Sequence, residues 1–205
     1  MGCKHSTSYT KHSCRQLSKQ KDSVKSRVTF TMKYPKELTP AERQTLRRTW
    51  PTLANDLQGN GLQLFLRIFD MCPEVKVLFS VENVRPSQLA RNVNIKAHGA
   101  RFANAIGSVV ESLDEYNQKD NKSCKFLFAL GQKHKRFTGF KPEYFDIFYE
   151  ALMCQWKRCM GDQFTPEVSE AWGHLFVHIM ETLKEGYFSK EVTFEAQFGN
   201  EKGYQ

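Results

Sequence analysis

The hydrophobic positions along the chain repeat at intervals of three and four, the spacing of helices that each bury one face. Leu46, Trp50, Leu53 and Leu57 open the series, and Leu62, Phe65 and Phe69 continue it. Val75, Leu78 and Phe79 follow Pro73, which suits the first turn of a new short helix. From Pro86 a long helical pattern runs to about Leu113, and the polar segment Asp114 to Ser123 reads as a loop. A shorter helix is expected over roughly Cys124 to Phe137. Pro142 opens another, with Phe145, Phe148, Leu152, Trp156 and Cys159 on one face. Thr165-Pro166 opens the last, carrying Val168, Trp172, Leu175, Ile179 and Leu183. Thr39-Pro40-Ala41-Glu42 supplies a capping hydroxyl, a first-turn proline and a glutamate placed to close a capping box. Pro51 is a potential kink in the helix that follows. No segment alternates with the period of a strand, so the fold class is all-α.

Charge changes the picture at one end only. Residues 1–36 hold nine basic side chains against Asp22, and the rest holds 21 of each sign, so the whole net charge of +8 lies in the first segment. That segment is poor in large apolar residues and is expected to be flexible. The resulting division is a basic extension over 1–37, a helical domain over 38–188 and a polar tail over 189–205. A neutral domain with a cationic arm points to an anionic surface reached by the arm, either membrane or nucleic acid. The arm lacks interleaved stacking aromatics and any recognition motif, which disfavours nucleic acid. No stretch reaches the apolar length of a transmembrane helix, nor does the start have the apolar core of a secretory signal, so a cytosolic location is expected. The six cysteines (Cys3, Cys14, Cys72, Cys124, Cys154, Cys159) then read as free thiols.

Two histidines stand out because they project from apolar faces. His98 lies among Ile95, Phe102, Ala105, Val109 and Leu113, and His134 is in line with Leu127, Leu130 and Phe137. One such residue alone reads as a core histidine satisfied by a hydrogen bond. Two on separate helices suit a flat apolar cofactor held between them, since neutral imidazole is a good iron ligand. His174 and His178, one turn apart with Glu181 nearby, have zinc-site spacing, but a solvent-facing pair is the expectation. No catalytic triad, phosphate loop or carboxylate pair is present, so any chemistry would belong to a cofactor.

Across residues 38–188 these features resemble the globin family, with a pattern closer to neuroglobin and globin X than to haemoglobin or myoglobin. Pro73 with Phe79 resembles the globin proline and the phenylalanine that packs on haem. His98 falls where the distal histidine lies, and Leu130-Gly131-Gln132-Lys133-His134 resembles the segment ending in the proximal histidine. Trp50 and Trp172 fall where related globins carry tryptophans. The resemblance implies haem b with iron on His134, with His98 as the distal ligand. Phe65 and Phe102 would line the distal pocket, Phe140 and Phe145 the proximal side, and Arg101 would reach a propionate. Phe102 departs from the smaller aliphatic residue that is usual there, which implies a tighter space above the iron.

The resemblance implies binding of O2, NO or CO, with hexacoordinate iron and a redox or signalling role such as electron transfer, nitrite reduction or lipid protection through an unidentified reductase. Any enzymatic activity would be a weak haem-based one. A five-coordinate oxygen carrier or sensor and a haem-free acylated adaptor are the alternatives. Globin X also carries acylated N-termini, and here Met1-Gly2-Cys3-Lys4-His5-Ser6 fits the myristoylation pattern. A single myristoyl chain binds membranes marginally, so a palmitoyl group on Cys3 and the basic arm would supply the further attachment that stable binding needs. The expected location is the cytoplasmic face of the plasma membrane.

Overall fold

A computed structural model describes residues 37–116 and 121–190, and more than three quarters of what it describes is helix. We label the helices α1 (Pro40–Ala54), α2 (Leu57–Met71), α3 (Pro86–Leu89), α4 (Val93–Glu111), α5 (Lys122–Lys135), α6 (Tyr144–Met160) and α7 (Pro166–Phe188). A 3-10 helix, Pro73–Phe79, follows α2, and another, Gly161–Gln163, precedes α7. Among the described residues there is no strand.

The helix starts follow from local chemistry. Thr39 accepts a hydrogen bond from the Glu42 amide, and the Glu42 carboxylate accepts one from the Thr39 amide at 2.7 Å, which completes the capping box. Thr165 caps α7 through its hydroxyl alone, which accepts from the Val168 amide, with Pro166 in the first turn. Pro51 stays inside α1, which ends three residues later at Ala54, so Leu57 belongs to α2 rather than to the first helix.

Three boundaries differ from the pattern of the sequence. The long helix expected from Pro86 is divided, because the Asn92 side chain accepts from the amides of Asn94 and Ile95 and starts α4 afresh. Asn121 does the same for α5, so Lys122 and Ser123 are helical rather than part of the loop. The helix expected at Pro142 begins at Tyr144, after a turn.

The core is apolar and largely aromatic. Trp172 is fully buried and stacks near Trp50, Trp156 and Phe176, with ring centres 6.2, 5.8 and 5.4 Å away. Its indole N–H donates to the Thr49 hydroxyl at 3.0 Å, and that hydroxyl donates to the Thr45 carbonyl, so the polar tip is satisfied in the core. Burying such a ring contributes roughly 2 to 3 kcal/mol or more at the usual ~25 cal/mol per Å².

Two close approaches between helices position everything that follows. Where α2 crosses α4, a methyl group on Gly61 would fall 2.3 Å from the Gly99 carbonyl oxygen, so only glycine permits the crossing. Where α5 lies against α7, a methyl group on Gly131 would fall 2.0 Å from the Leu183 oxygen, and one on Gly186 would fall 2.0 Å from the Phe128 oxygen. Contacts along this seam join Cys124 to His178 at one end and Lys135 to Ser189 at the other, the same offset in sequence at each. The two helices therefore run side by side in the same direction, and theirs is the most extensive helix–helix contact of the fold.

Candidate functional site

The α2–α4 crossing sets the first wall. Gly61 is one turn before Phe65, and Gly99 is next to His98, so the backbone contact brings the two rings together with centres 4.8 Å apart. Phe79, at the end of the 3-10 helix, meets His98 at 5.1 Å and Phe65 at 5.5 Å. Phe65 is fully buried, whereas His98 and Phe102 are half-buried. Phe102 lies one turn after His98 and packs 6.2 Å from Phe65. Phe148 of α6 completes this wall, 5.5 Å from Phe65 and 5.7 Å from Phe102. It was legible in the sequence only as a core position of its own helix.

The α5–α7 seam sets the second wall. His134 is near the end of α5, where its Nδ1 lies 2.7 Å from the Leu130 carbonyl oxygen one turn back. The carbonyl accepts, so Nδ1 carries the proton and Nε2 keeps its lone pair. Phe140 and Phe145 flank the ring at 4.9 and 5.6 Å. Tyr187 of α7 holds this side from behind. Its hydroxyl donates to the Phe140 carbonyl at 3.2 Å, and its ring packs on Phe140 and Phe145. Tyr187 carried no signal in the sequence, because its role depends on α7 lying beside α5. Phe137, expected to face inward with His134, is about half exposed where the chain leaves α5, though its ring is still 6.1 Å from the imidazole.

Electrostatics keeps both imidazoles neutral. Burial lowers His98, and the charges of Arg101 and of His134 lower it further, to about 4. Burial also lowers His134; the Leu130 carbonyl opposes this in part and Lys133 adds to it. Phe145, beside His134, and Phe148, beside Phe65 and Phe102, are three residues apart on α6, so one helix joins the two walls. Arg101 is exposed at the mouth, its guanidinium 3.4 Å from His98 Nδ1. The site thus presents two uncharged imidazoles on walls joined by α6, with aromatic sides and one cation at the rim. An iron macrocycle with acidic edge groups fits this donor set.

The other histidine pair does not form a metal site. His174 and His178 were expected to face solvent, but both are half-buried between helices. His174 pairs with Glu42 of α1. His178 lies 3.5 Å from the Cys124 thiol, with its ring centre 4.5 Å from that of Tyr116. Among the described residues no group of three or more His, Cys, Asp or Glu is arranged to hold a metal. Among the described residues Cys72, Cys124, Cys154 and Cys159 form no disulfide. Cys72 is buried, as a packing position should be, whereas Cys159 joins a polar contact with Asn60 and Gln155. Gly2 and Cys3 lie outside the described residues, as do His5 and His12.

Comparison with known proteins agrees with this geometry. The sequence model of the family described as Globin matches residues 62–183. Hemoglobin subunit pi of Gallus gallus is 27% identical over 73% of this chain and 98% of its own length. Neuroglobin of Tetraodon nigroviridis is 24% identical over 74% of this chain and 93% of its own. Among solved structures, a hexacoordinated heme protein from an anhydrobiotic tardigrade superposes with a TM-score of 0.68 at 21% identity, covering 73% of this chain and 95% of that one. At that identity the likeness speaks to the fold. The chain belongs to the globin family, and its cofactor is haem b, whose iron binds small gases such as O2.

Proposed function

We propose that this globin holds its iron between His134 and His98 when no gas is present, and that it serves redox or signalling chemistry at a membrane rather than bulk oxygen carriage. The observation that carries the reading is His98. Its ring is pressed on Phe65 and Phe79, its charge is suppressed, and the Arg101 guanidinium at the rim donates to Nδ1 at 3.4 Å, which leaves Nε2 with no hydrogen-bond partner among the described residues. A buried imidazole nitrogen is costly unless it is satisfied, and the iron satisfies it. Haem, when bound, supplies the metal that takes up gas or passes one electron.

The protein's own residues do the rest. The Leu130 carbonyl fixes the tautomer of His134, so Nε2 is presented to the metal, and Phe140, Phe145 and Tyr187 hold the ring's orientation. His98 competes with incoming gas, and apparent affinity falls by the fraction of time it stays bound. Phe102 and Phe148 narrow the space beside it, which further favours small diatomic molecules over larger substrates. Two like ligands in both oxidation states need little rearrangement, which suits electron exchange with nitrite, nitric oxide or a reductase. The ferrous protein without added ligand tests the reading. Sharp, resolved visible bands are expected, and His98→Leu should convert them to one broad band and speed carbon monoxide binding. A five-coordinate wild-type spectrum would make gas carriage the better account.

The tether rests on Gly2, Cys3 and the cationic arm. A tethered haem gains by acting where it is held, whereas a carrier gains by diffusing. Full-length protein with a C-terminal fluorescent tag should sit at the cytoplasmic face of the plasma membrane, and Gly2→Ala with Cys3→Ser should release it. Unchanged localisation of that variant excludes acylation as the anchor.

A further inference from the structure

The two histidines of the site have opposite kinds of partner at Nδ1. The Leu130 carbonyl can only accept, so His134 carries its proton on Nδ1 and the lone pair of its Nε2 stays available. The Arg101 guanidinium can only donate, because all of its polar hydrogens are donors and it has no acceptor. Its contact with His98 Nδ1 at 3.4 Å therefore takes the lone pair of that nitrogen. Burial and the charge of Arg101 keep the His98 ring neutral, and a neutral imidazole has a single ring proton. That proton is on Nε2, the nitrogen with no partner among the described residues. His134 is thus arranged to bind a metal, whereas His98 is arranged to donate into the pocket.

We propose that Arg101 is a positioning residue that opposes the bond between His98 and iron: it favours the tautomer that offers an N–H to gas, and so sets how often the pocket is open. The inference rests on the reading of His98 as the exchangeable ligand. A metal needs the lone pair of Nε2, so ligation obliges the ring to change tautomer. The Nε2 proton passes to solvent and Nδ1 takes one up, with no net change of charge. Nδ1–H and the guanidinium would then be two donors face to face, and Arg101 must let go. The contact and the ligand bond exclude each other. Helix α4 places Arg101 for this role, one turn after His98 and exposed at the mouth, where its guanidinium can move into water without disturbing the aromatic wall.

A series of substitutions at Arg101 in full-length, haem-loaded protein tests this, because the hydrogen-bonding sense of the side chain decides the outcome. Arg101→Lys keeps a donor and should behave as wild type. Arg101→Leu removes the donor, so His98 should hold the iron more often and the apparent affinity for carbon monoxide should fall about threefold to tenfold. Arg101→Glu supplies an acceptor for Nδ1–H and should lower it further. A side chain acting only by bulk would not give that order. The position of the proton is a second readout. In the ferrous carbon monoxide complex, where His98 is displaced, nitrogen-15 NMR should find the His98 proton on Nε2 in wild type and on Nδ1 in Arg101→Glu. Equal affinities across the series, with sharp ferrous bands in every member before gas is added, would overturn the inference and leave His98 as the ligand. Broad five-coordinate bands in every member would overturn the ligand reading as well. A wild-type proton on Nδ1 would overturn the inference even if the variants fail to fold.

Discussion

The two walls of the haem site are built from opposite strategies. His98, the proposed distal ligand, is placed by a backbone crossing and surrounded by aromatic rings, and only one of its nitrogens has a partner, the exposed Arg101 guanidinium at 3.4 Å. His134, the proposed proximal ligand, has one nitrogen fixed by a carbonyl on its own helix, and that helix is pressed against α7 along its full length. Rigid placement suits a ligand that stays on the metal. Freedom at the nitrogens suits a ligand that must leave when gas arrives. The asymmetry is thus one of preorganisation, since both rings are neutral and both are buried to a similar degree.

The largest expected effect tests this asymmetry directly. His134→Ala should lower haem affinity by more than about 100-fold, beyond the 10- to 100-fold loss typical of altering an outer-shell partner. His98→Leu should leave haem retained, because the fixed proximal donor remains. The measurement is the rate of haem transfer to an acceptor protein, compared across the two variants. Equal losses would mean that the walls contribute alike and that the distinction between fixed and exchangeable ligand is false.

The walls also differ in how far the sequence foretold them. The capping signals at Thr39 and Thr165 and the helical spacing of His98 and His134 are local, and local chemistry is what a single sequence exposes. Asn92 was missed as a helix start because the apolar pattern runs through it, yet its side chain claims the two amides that begin α4. The expectation that His174 and His178 face solvent fails for a related reason. Helix α7 is buried on nearly every side, so a polar pair on it does not mark an outer face. Gly131 and Gly186 are 55 residues apart in sequence, and nothing near either names the other as its neighbour. The same holds for Tyr187 behind Phe140 and for Phe148 beside Phe65. What escaped the sequence is pairing across helices.

That pairing gives the next effect in size. Alanine at Gly131 would place its methyl group against a backbone carbonyl, where no side chain can swing aside. Overpacking of this kind costs about 1 to 3 kcal/mol or more, which exceeds the ~1 kcal/mol that alanine gains over glycine in a helix. A melting temperature lower by several degrees is expected, with α5 and the proximal pocket losing order first. Gly173→Ala on α7 is the control. Its methyl group would meet only the Tyr149 hydroxyl at 3.5 Å and the Met153 methyl at 3.8 Å, ordinary contacts, so stability should hold or rise. Similar melting temperatures for the two variants would show that the α5–α7 seam is not held at backbone contact.

The smallest effect concerns acid. His178 stands at one end of the seam, between the Tyr116 ring and the Cys124 thiol. Burial lowers it from the ordinary 6.5, and burial raises the thiol beside it, so near neutral pH the pair is uncharged. The unfolded chain takes up a proton at this histidine near pH 6.5, whereas the folded chain does so only at lower pH. Between those two values the unfolded state holds more protons, and stability falls as pH falls. Glu42 behaves differently. Burial works to raise it, but hydrogen bonds from Thr39 and from His174, with the charge of His174, bring it below 4.5. Its contribution is present above pH 4.5 and is lost only as pH drops further, so the two windows do not overlap at their upper ends. His98→Leu protein loaded with haem removes the two haem-facing imidazoles from the comparison, since His98 is gone and His134 is the proposed ligand of the metal, which leaves His178 and the Glu42-paired His174 as the half-buried histidines. Denaturant unfolding of that protein between pH 7.5 and 5 should show stability declining below about 6.5, by no more than one proton's slope for this site. Adding His178→Gln should flatten the decline. A slope unchanged by the second substitution would place the acid sensitivity elsewhere, and the proximal seam would then be as indifferent to pH in this range as the glycine crossing of the distal wall.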